Sequence, residues 1–402
     1  MKKHYHNKGF RHNTRSRFPG NNRKPARYAM SEVDLIRIIE YSKQSNTTNV
    51  EEESYLSINT FEDFHLNYQL QKNIKSKGFV SPTPIQDKTI PAIMSGHDLI
   101  GQANTGTGKT AAFLIPLIEK ISKNRTQKAL IIAPTRELAE QINSDFRSLA
   151  YNLQLGSALL IGGKNINSQI KELQRNPDFV IGTPGRIKDL INRRVLVLSV
   201  FNNVVLDETD RMVDIGFIKE IKLFISLLPK FRQSLFFSAT ISRKVEEILY
   251  AFVQNAITVS VKKTDTCKNI KQDYIKINKN QLKVDCLHDL LIKDGFEKVI
   301  VFGNTKRGVQ KLTDELVKRG FKAASIHGDK NQNQRHAILE KFKKDEVSIL
   351  IATDVAARGL DINNVSHVVN YELPETYDEY IHRIGRTGRI NKSGIALTLV
   401  NY

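Results

Sequence analysis

Two short stretches of this sequence carry the residue types that phosphoryl chemistry requires. The first is "ANTGTGKT", Ala103 to Thr110. It follows the apolar run "DLIG" and precedes an apolar segment of helical period, the strand–loop–helix order of a phosphate-binding loop. Gly106 and Gly108 let backbone N–H groups turn toward phosphate oxygens, and Ala103, Asn104, Thr105 and Thr107 complete the loop. The start of the following helix adds partial positive charge. Lys109 can reach terminal phosphates, and the Thr110 hydroxyl can ligate Mg²⁺. The general pattern opens with Gly, whereas this loop opens with Ala103. The second stretch is "VVLDETD", in which Val204, Val205 and Leu206 run into Asp207, Glu208, Thr209 and Asp210. Alone, such a run reads as a solvated strand end or a helix cap. Beside a phosphate loop, Asp207 suits Mg²⁺, usually through water because Mg²⁺ dehydrates reluctantly. Glu208 is then placed to orient or deprotonate an attacking water. Asp210 lies one residue too far for the metal and is assigned a bridging role.

These residues need elements to position them. From about residue 60, apolar runs of strand length alternate with segments of helical period, the signature of a parallel sheet with crossover helices. The runs are "DLIG", "ALIIAP", "FVIGTP", "VVLDE" and "SLFFSAT", each ending in small or polar residues. In open α/β sheets ligands sit beyond the carboxyl ends of the strands, which is where these endings fall. Residues 252–272 read as a break, after which "KVIVFGNT", "AASIHGD", "SILIATD" and "HVVNYELP" restart the alternation. The expected fold is α/β, two doubly wound parallel-sheet domains with a cleft between them. The expected organisation is an N-terminal extension over 1–58, a first domain over 59–258, a linker over 259–271 and a second domain over 272–402.

The composition narrows the partners. The 402-residue chain has a formal net charge of +19, which points to a polyanion. Residues 1–28 hold no acid, and Lys2, Lys3, Lys8, Arg11, Arg15, Arg17, Arg23, Lys24 and Arg27 give them about half of that excess. Tyr5, Phe10, Phe18 and Tyr28 are interleaved, so the segment reads as a disordered basic tether for nucleic acid or, more blandly, a solubilising tail. Residues 29–58 hold a candidate short helix, "SEVDLIRIIEYSKQ", and then a polar linker. Cys267 and Cys286 have no metal-ligand spacing, which argues against a disulfide framework or a zinc site and fits a reducing compartment. No apolar run reaches the roughly 20 residues needed to span a bilayer, and no secretory signal is visible.

With the phosphate loop and the acidic motif in this order, the chain resembles the DEAD-box ATP-dependent RNA helicases of superfamily 2, over about Phe61 to the C-terminus. The resemblance implies two RecA-like domains, with ATP and Mg²⁺ as ligands. "GFVSPTPIQ" resembles the family's adenine-reading motif. Gln86 carries an amide that can pair with adenine, Phe79 can stack on the ring, and Phe61 matches an isolated upstream aromatic. "PTRELAEQI", with Pro134, Thr135 and Arg136, together with Gly162, Gly163 and the stretch Thr183, Pro184, Gly185 and Arg186, match the RNA-binding motifs of the first domain. "SAT" supplies Ser238 and Thr240 to link the acidic motif to RNA grip. In the second domain Asn304, Gln332, Arg335 and Thr353 match RNA contacts, and Asp354 matches a contact to the ATP ribose or its link. Within "HRIGRTGR", Arg386 and Arg389 match arginine fingers, and His382 and Arg383 would tie that motif back to the acids. Such fingers are worth about 10³–10⁵ in rate.

The resemblance thus implies an RNA-stimulated ATPase that remodels short duplexes by closing its domains on ATP and RNA, without sequence preference. Thr209 departs from the family, which usually has alanine there. A noncatalytic RNA-binding scaffold is opposed by the intact Lys109, Asp207, Glu208, Arg386 and Arg389. A DNA-directed motor is opposed by the adenine motif and the "TPGR" stretch. The expected protein is a cytoplasmic monomer, with no membrane partner. Tyr402 follows the last motif closely, so no C-terminal specificity domain is expected.

Overall fold

The structure is a computed structural model that describes residues 30–45, 57–103, 106–261, 270–357, 365–388 and 393–401. The basic tail, Asn104, Thr105 and Arg389 lie outside the described residues.

The first domain contains β1 (Leu99–Gln102), β2 (Ala129–Ile132), β3 (Ser157–Leu160), β4 (Phe179–Gly182), β5 (Asn203–Leu206), β6 (Gln233–Ser238) and β7 (Ile257–Ser260). They form one parallel sheet in the order β3-β4-β2-β5-β6-β1-β7. Strands β2, β4, β5 and β6 are buried at every position, because helices cover both faces. A preceding helix α1 (Glu32–Ser45) is followed by α2 (Tyr68–Ser76), α3 (Pro84–Met94), α4 (Lys109–Lys123), α5 (Arg136–Leu149), α6 (Ile166–Gln174), α7 (Pro184–Asn192), α8 (Thr209–Ile215), α9 (Ile218–Leu227) and α10 (Arg243–Phe252). Apolar clusters lie on each face, one including Phe113, Ile131 and Phe237, the other Leu130, Val204 and Phe236. The strand order makes β5, β6 and β1 neighbours, so the acidic motif, "SAT" and the phosphate loop all leave one end of the sheet side by side. At the opposite end two buried amides share one cation: Lys120 Nζ donates to Asn203 Oδ1 and Gln233 Oε1, each at 2.8 Å.

The second domain has β8 (Ile270–Ile277), β9 (Val299–Phe302), β10 (Ala323–Ile326), β11 (Ile349–Ala352), β12 (His367–Asn370) and β13 (Gly394–Asn401). They form a parallel sheet in the order β10-β11-β9-β12-β13-β8. Its helices are α11 (Lys283–Leu291), α12 (Lys306–Lys318), α13 (Gln332–Lys343), α14 (Asp354–Ala357) and α15 (Tyr377–Ile384). Side-chain caps fix several starts: Thr305 accepts from Gly308 N, Thr376 from Glu379 N, and Asn331 forms a capping box with Gln334.

Two expectations change. Strand β7 runs to Ser260 and β8 begins at Ile270, so the linker expected over 259–271 is trimmed at both ends by edge strands. Those strands escape pattern reading because they are only partly covered: three of the four β7 residues are exposed. Within the N-terminal extension expected over 1–58, the candidate short helix is α1, and it is part of the fold. Helix α1 packs on the second domain, burying Leu35 and Ile39 against Ile270, Tyr380, Ile384 and Ala396. Met30 N donates to Glu375 O at 2.9 Å, Lys43 pairs with Asp273 at 2.6 Å, and Tyr274 Oη donates to Glu40 at 3.1 Å. Ser31 accepts from Asp34 N and caps the helix. Among the described residues no helix is long and apolar enough to cross a membrane.

Ile39→Ala is expected to destabilise the second domain by about 2–4 kcal/mol through the cavity it leaves. The exposed Val33→Ala should change stability by less than about 0.5 kcal/mol. Urea unfolding followed by circular dichroism compares the two, and equal small effects would mean that α1 is not docked.

Candidate active site

The acidic motif sits where β5 meets α8. Asp207 and Glu208 are 2 % and 7 % exposed, so two adjacent carboxyls are nearly removed from water. Glu208 adopts φ 49° and ψ 52°, the left-handed region, which a residue with a Cβ adopts at a cost of order 1–3 kcal/mol. This turn separates the two side chains. Asp207 Oδ1 accepts from Glu208 N at 3.0 Å, and Glu208 Oε2 accepts from Arg211 Nη1 at 3.0 Å.

Their proton affinities diverge for stated reasons. Burial pushes the Asp207 carboxyl up to about 7 against the opposing pull of Lys109, with the Glu208 and Asp210 charges adding to the rise. Burial also opposes ionisation of Glu208, but Arg211, Lys109 and Arg386 outweigh it and hold that carboxyl down at about 2. Arg386 belongs to the second domain, just beyond α15, and is 3 % exposed. The Glu208 carboxylate of one domain is therefore balanced in part by a cation from the other.

Asp210 points to β6. Its Oδ2 accepts from Ala239 N at 3.2 Å, Thr240 N at 2.9 Å and Thr240 Oγ1 at 3.0 Å. Its own N–H donates to Ser238 Oγ at 3.3 Å. This links the ends of β5 and β6. Thr209 is fully buried between them, its hydroxyl 3.4 Å from Leu206 O and 3.5 Å from Phe237 O. Those are long contacts, so the hydroxyl is accommodated rather than tightly held.

The phosphate loop is folded on itself. Lys109 opens α4 and donates to Ala103 O at 3.0 Å. Gly108 has φ +92°, and a Cβ there would stand 2.5 Å from Gln86 Nε2. Gly106 shares a positive φ, and Thr110 lies in the first turn of α4. Gln86 is 3 % exposed; its Oε1 accepts from Thr83 N at 3.0 Å and its Nε2 donates to Gly108 O at 3.1 Å. Thr83 Oγ1 donates to Thr107 O at 2.8 Å. The amide expected to read adenine thus also braces the phosphate loop, with one N–H and one lone pair left over. Phe61 is buried and stacks on half-buried Phe79, ring centroids 6.3 Å apart. Phe61 therefore backs Phe79, the ring expected to stack on adenine.

The RNA candidates of the first domain converge. Thr135 caps α5 through Leu138 N, which places Arg136 in the first turn after Pro134. Its guanidinium lies against Gly162 and Gly163: a Cβ on Gly163 would stand 2.6 Å from Arg136 Nη1. Thr183, Pro184 and Gly185 open α7, and Arg186 donates to Lys164 O at 3.3 Å. A Cβ on Gly185 would meet nothing within 4 Å, so a backbone strand can approach there.

In the second domain several of the candidate residues bond to protein groups. Gln332 Nε2 donates to Glu137 Oε1 at 3.1 Å and Arg335 Nη2 pairs with the same oxygen at 2.9 Å. These two residues, expected to touch RNA, also join α13 to α5 of the other domain through the buried Glu137. Arg383, expected to reach the acids, is 1 % exposed and instead grips Asp354 with two bonds of 2.6 Å. It also donates to Asn304 Oδ1 at 2.8 Å. A guanidinium so buried requires acceptors, and those of Arg383 come from its own domain. Asp354, expected at the ribose, is the partner it finds. Asn304 Nδ2 donates to Leu373 O at 2.9 Å, so its amide is also held within the domain. Thr353 caps the short α14 through its carbonyl, and the His382 carbonyl accepts from Arg386 Nε at 3.2 Å. Arg211 and Glu137 were not singled out by sequence reading. Their partners lie across the domain boundary, and no local spacing signals that.

The chain matches the DEAD/DEAH box helicase family over residues 83–248 and the helicase conserved C-terminal domain over residues 282–391. It is 46% identical over 343 residues to a DEAD-box ATP-dependent RNA helicase CshA of Bacillus licheniformis, covering 85% of this chain and 70% of that one. The corresponding protein of Bacillus subtilis is also 46% identical, over 85% of this chain and 69% of that one. Among solved structures, S. cerevisiae Dbp5 bound to RNA and ADP BeF3 aligns with TM-score 0.75 at 31% identity, covering 85% of this chain and 90% of that one. Mss116p bound to ssRNA and AMP-PNP aligns with TM-score 0.76 at 31% identity, over 85% of this chain and 74% of that one.

Two outcomes follow from the acid cluster. Folded Asp207 keeps its proton up to about 7, whereas an unfolded chain releases it near 3.8, so its contribution to stability is full at low pH and is lost as pH rises through about 7. Asp207→Asn removes that titration. The variant's thermal midpoint relative to wild type should rise between pH 4 and pH 8, and a constant difference would refute the raised proton affinity. Thr209→Ala should leave nucleotide turnover within about threefold of wild type, because its hydroxyl contacts are long. A larger change in steady-state turnover would give the hydroxyl an active role.

Proposed function

The chain belongs to the DEAD-box ATP-dependent RNA helicases, and from that premise we propose how its own residues carry RNA-stimulated ATP hydrolysis. The reading rests on one observation above others: the buried Glu208 carboxylate of the first domain is held ionised by Arg211 and Lys109 and in part by Arg386 of the second domain. Hydrolysis is then confined to the closed pair of domains. The backbone N–H groups of the phosphate loop and Lys109 hold the ATP phosphates. Phe79 and the free functions of Gln86 face adenine. Thr110 and Asp207 would hold Mg²⁺, and a buried carboxyl that retains its proton to about 7 is one that a divalent cation can claim. The ion would supply charge neutralisation at the phosphates. Glu208, ionised and fixed by Arg211, orients the attacking water and receives its proton. Arg386, with Arg389, stabilises charge on the transferring phosphoryl group.

RNA coupling follows from the same seam. Arg136, Gly162, Gly163 and the start of α7 form a backbone-binding face on the first domain. The Glu137 carboxylate, gripped by Gln332 and Arg335, ties the edge of that face to the second domain. A strand of RNA that favours this pairing favours the closed site, and by reciprocity ATP favours RNA. Asp210, bonded to Ser238 and Thr240, connects the acid loop to β6 and relays between the two sites. Contacts to phosphates and 2′-hydroxyls give RNA preference without sequence preference. The basic tail adds a nonspecific tether. The protein acts as a cytoplasmic monomer that locally unwinds or remodels RNA.

In steady-state ATP hydrolysis by the full chain with Mg²⁺, single-stranded RNA should raise turnover several-fold. Glu208→Gln should reduce the stimulated rate by about 10² or more while leaving ATP and RNA binding in place. Wild-type protein that binds both ligands without turnover would overturn the reading in favour of a noncatalytic RNA scaffold.

A further inference from the structure

Arg211 takes no part in the functions assigned above except as the partner of Glu208, yet it is 6 % exposed and touches both domains. Its Nη1 donates to Glu208 Oε2 at 3.0 Å. Its Nη2 donates to the carbonyl oxygen of Val355 in the second domain at 3.3 Å. The acceptor is not a floppy group. Val355 lies in α14 between Asp354 and Ala356. The Asp354 carboxylate is held by Arg383 with two bonds of 2.6 Å, and the Ala356 carbonyl accepts from Arg335 Nη2 at 3.4 Å. Arg383 belongs to α15, and Arg386 follows three residues later. One chain of contacts therefore runs from the Glu208 carboxylate through Arg211 and Val355 to Asp354, Arg383 and the finger segment.

We propose that Arg211 is a positioning residue that couples domain closure to the orientation of Glu208: its planar fork fixes the water-orienting carboxylate only when the Val355 carbonyl of the closed second domain takes its other arm. Two features make such a device necessary. Glu208 sits in a left-handed backbone conformation at the turn between β5 and α8, and its side chain makes no cap to that helix. A buried carboxylate with a free rotor would also lose the alignment that water activation needs. Arginine suits the task because it can hold two acceptors at a set separation, which a lysine ammonium on a flexible stem does not do. This inference rests on the ATPase reading above and adds a residue to it.

The test uses the full chain with Mg²⁺ and saturating single-stranded RNA, comparing wild type, Arg211→Lys and Arg211→Met. Both variants should lose roughly tenfold or more in kcat, with KM for ATP within about threefold, because alignment for the chemical step is lost while nucleotide binding is not. Thermal unfolding of the Lys variant should stay near wild type, since it keeps the charge beside Glu208. Rescue of kcat to within about twofold by lysine would show that charge alone suffices and would overturn the proposal. So would an unchanged kcat in the methionine variant, a rise in kcat in either variant, or a loss appearing entirely in KM. Wild-type protein lacking RNA-stimulated turnover would instead sink the ATPase reading itself, which sets the two failures apart.

Discussion

Two adjacent carboxyls buried at one strand end are the constraint on which the rest of this structure depends. Neither Asp207 nor Glu208 can be ionised there without cations nearby, because desolvation opposes charge. Lys109 and Arg211 come from the same domain, and Arg386 comes from the other. The sheet order serves this requirement by making β5, β6 and β1 neighbours, so that acids, relay and phosphate loop emerge together. The burial that makes the site costly to charge is also what strengthens each interaction in it. Domain closure is thus part of the electrostatics of the site as well as of its shape.

The same logic recurs at the second contact between the domains. Glu137 is buried at the start of α5, directly after Arg136, and receives both Gln332 and Arg335. The residue that packs on the glycine pair Gly162–Gly163, proposed to face RNA, and the residue that ties the domains together are therefore consecutive. The proposed coupling between RNA and ATP would run through these adjacent residues at the starts of α5 and α8. Helix α1 adds a contact of a different kind. It lies against β8 and α15, the helix that leads to Arg386, and joins the N-terminal part of the chain to the second domain.

Much of this was legible in the sequence where chemistry and strand pattern coincide. Strands β1, β2, β4, β5 and β6 are apolar runs that end in polar motifs, and they lie where the pattern put them. Strands β3, β7, β8 and β13 were missed: β3 and β7 carry serine and threonine or are exposed, and β8 and β13 sit at or next to a sheet edge. The acidic motif and the phosphate loop could be placed together because their spacing reflects one sheet end. The pairing of Arg383 with Asp354 is not legible, because motif order says nothing about which acceptor a buried guanidinium finds. The contact of Arg335 and Gln332 with Glu137 has no local signal, since Glu137 lies 195 positions from Gln332. Arg211 was passed over because its meaning depends on a backbone carbonyl 144 positions away. Interactions of that range leave no local signature.

The central claim is that the site is complete only in the closed pair of domains and that both ligands favour that pair. Its most direct measurement is single-molecule energy transfer between dyes at two exposed positions, Tyr151 in the first domain and Ile292 in the second, changed to cysteine in a chain without its native thiols. The protein would be observed with a non-hydrolysable ATP analogue alone, with single-stranded RNA alone and with both. The expected result is a closed population that becomes dominant only when both ligands are present and that Arg386→Ala reduces. A closed population equal under all three conditions would contradict the coupling, since a ligand with no differential affinity shifts nothing.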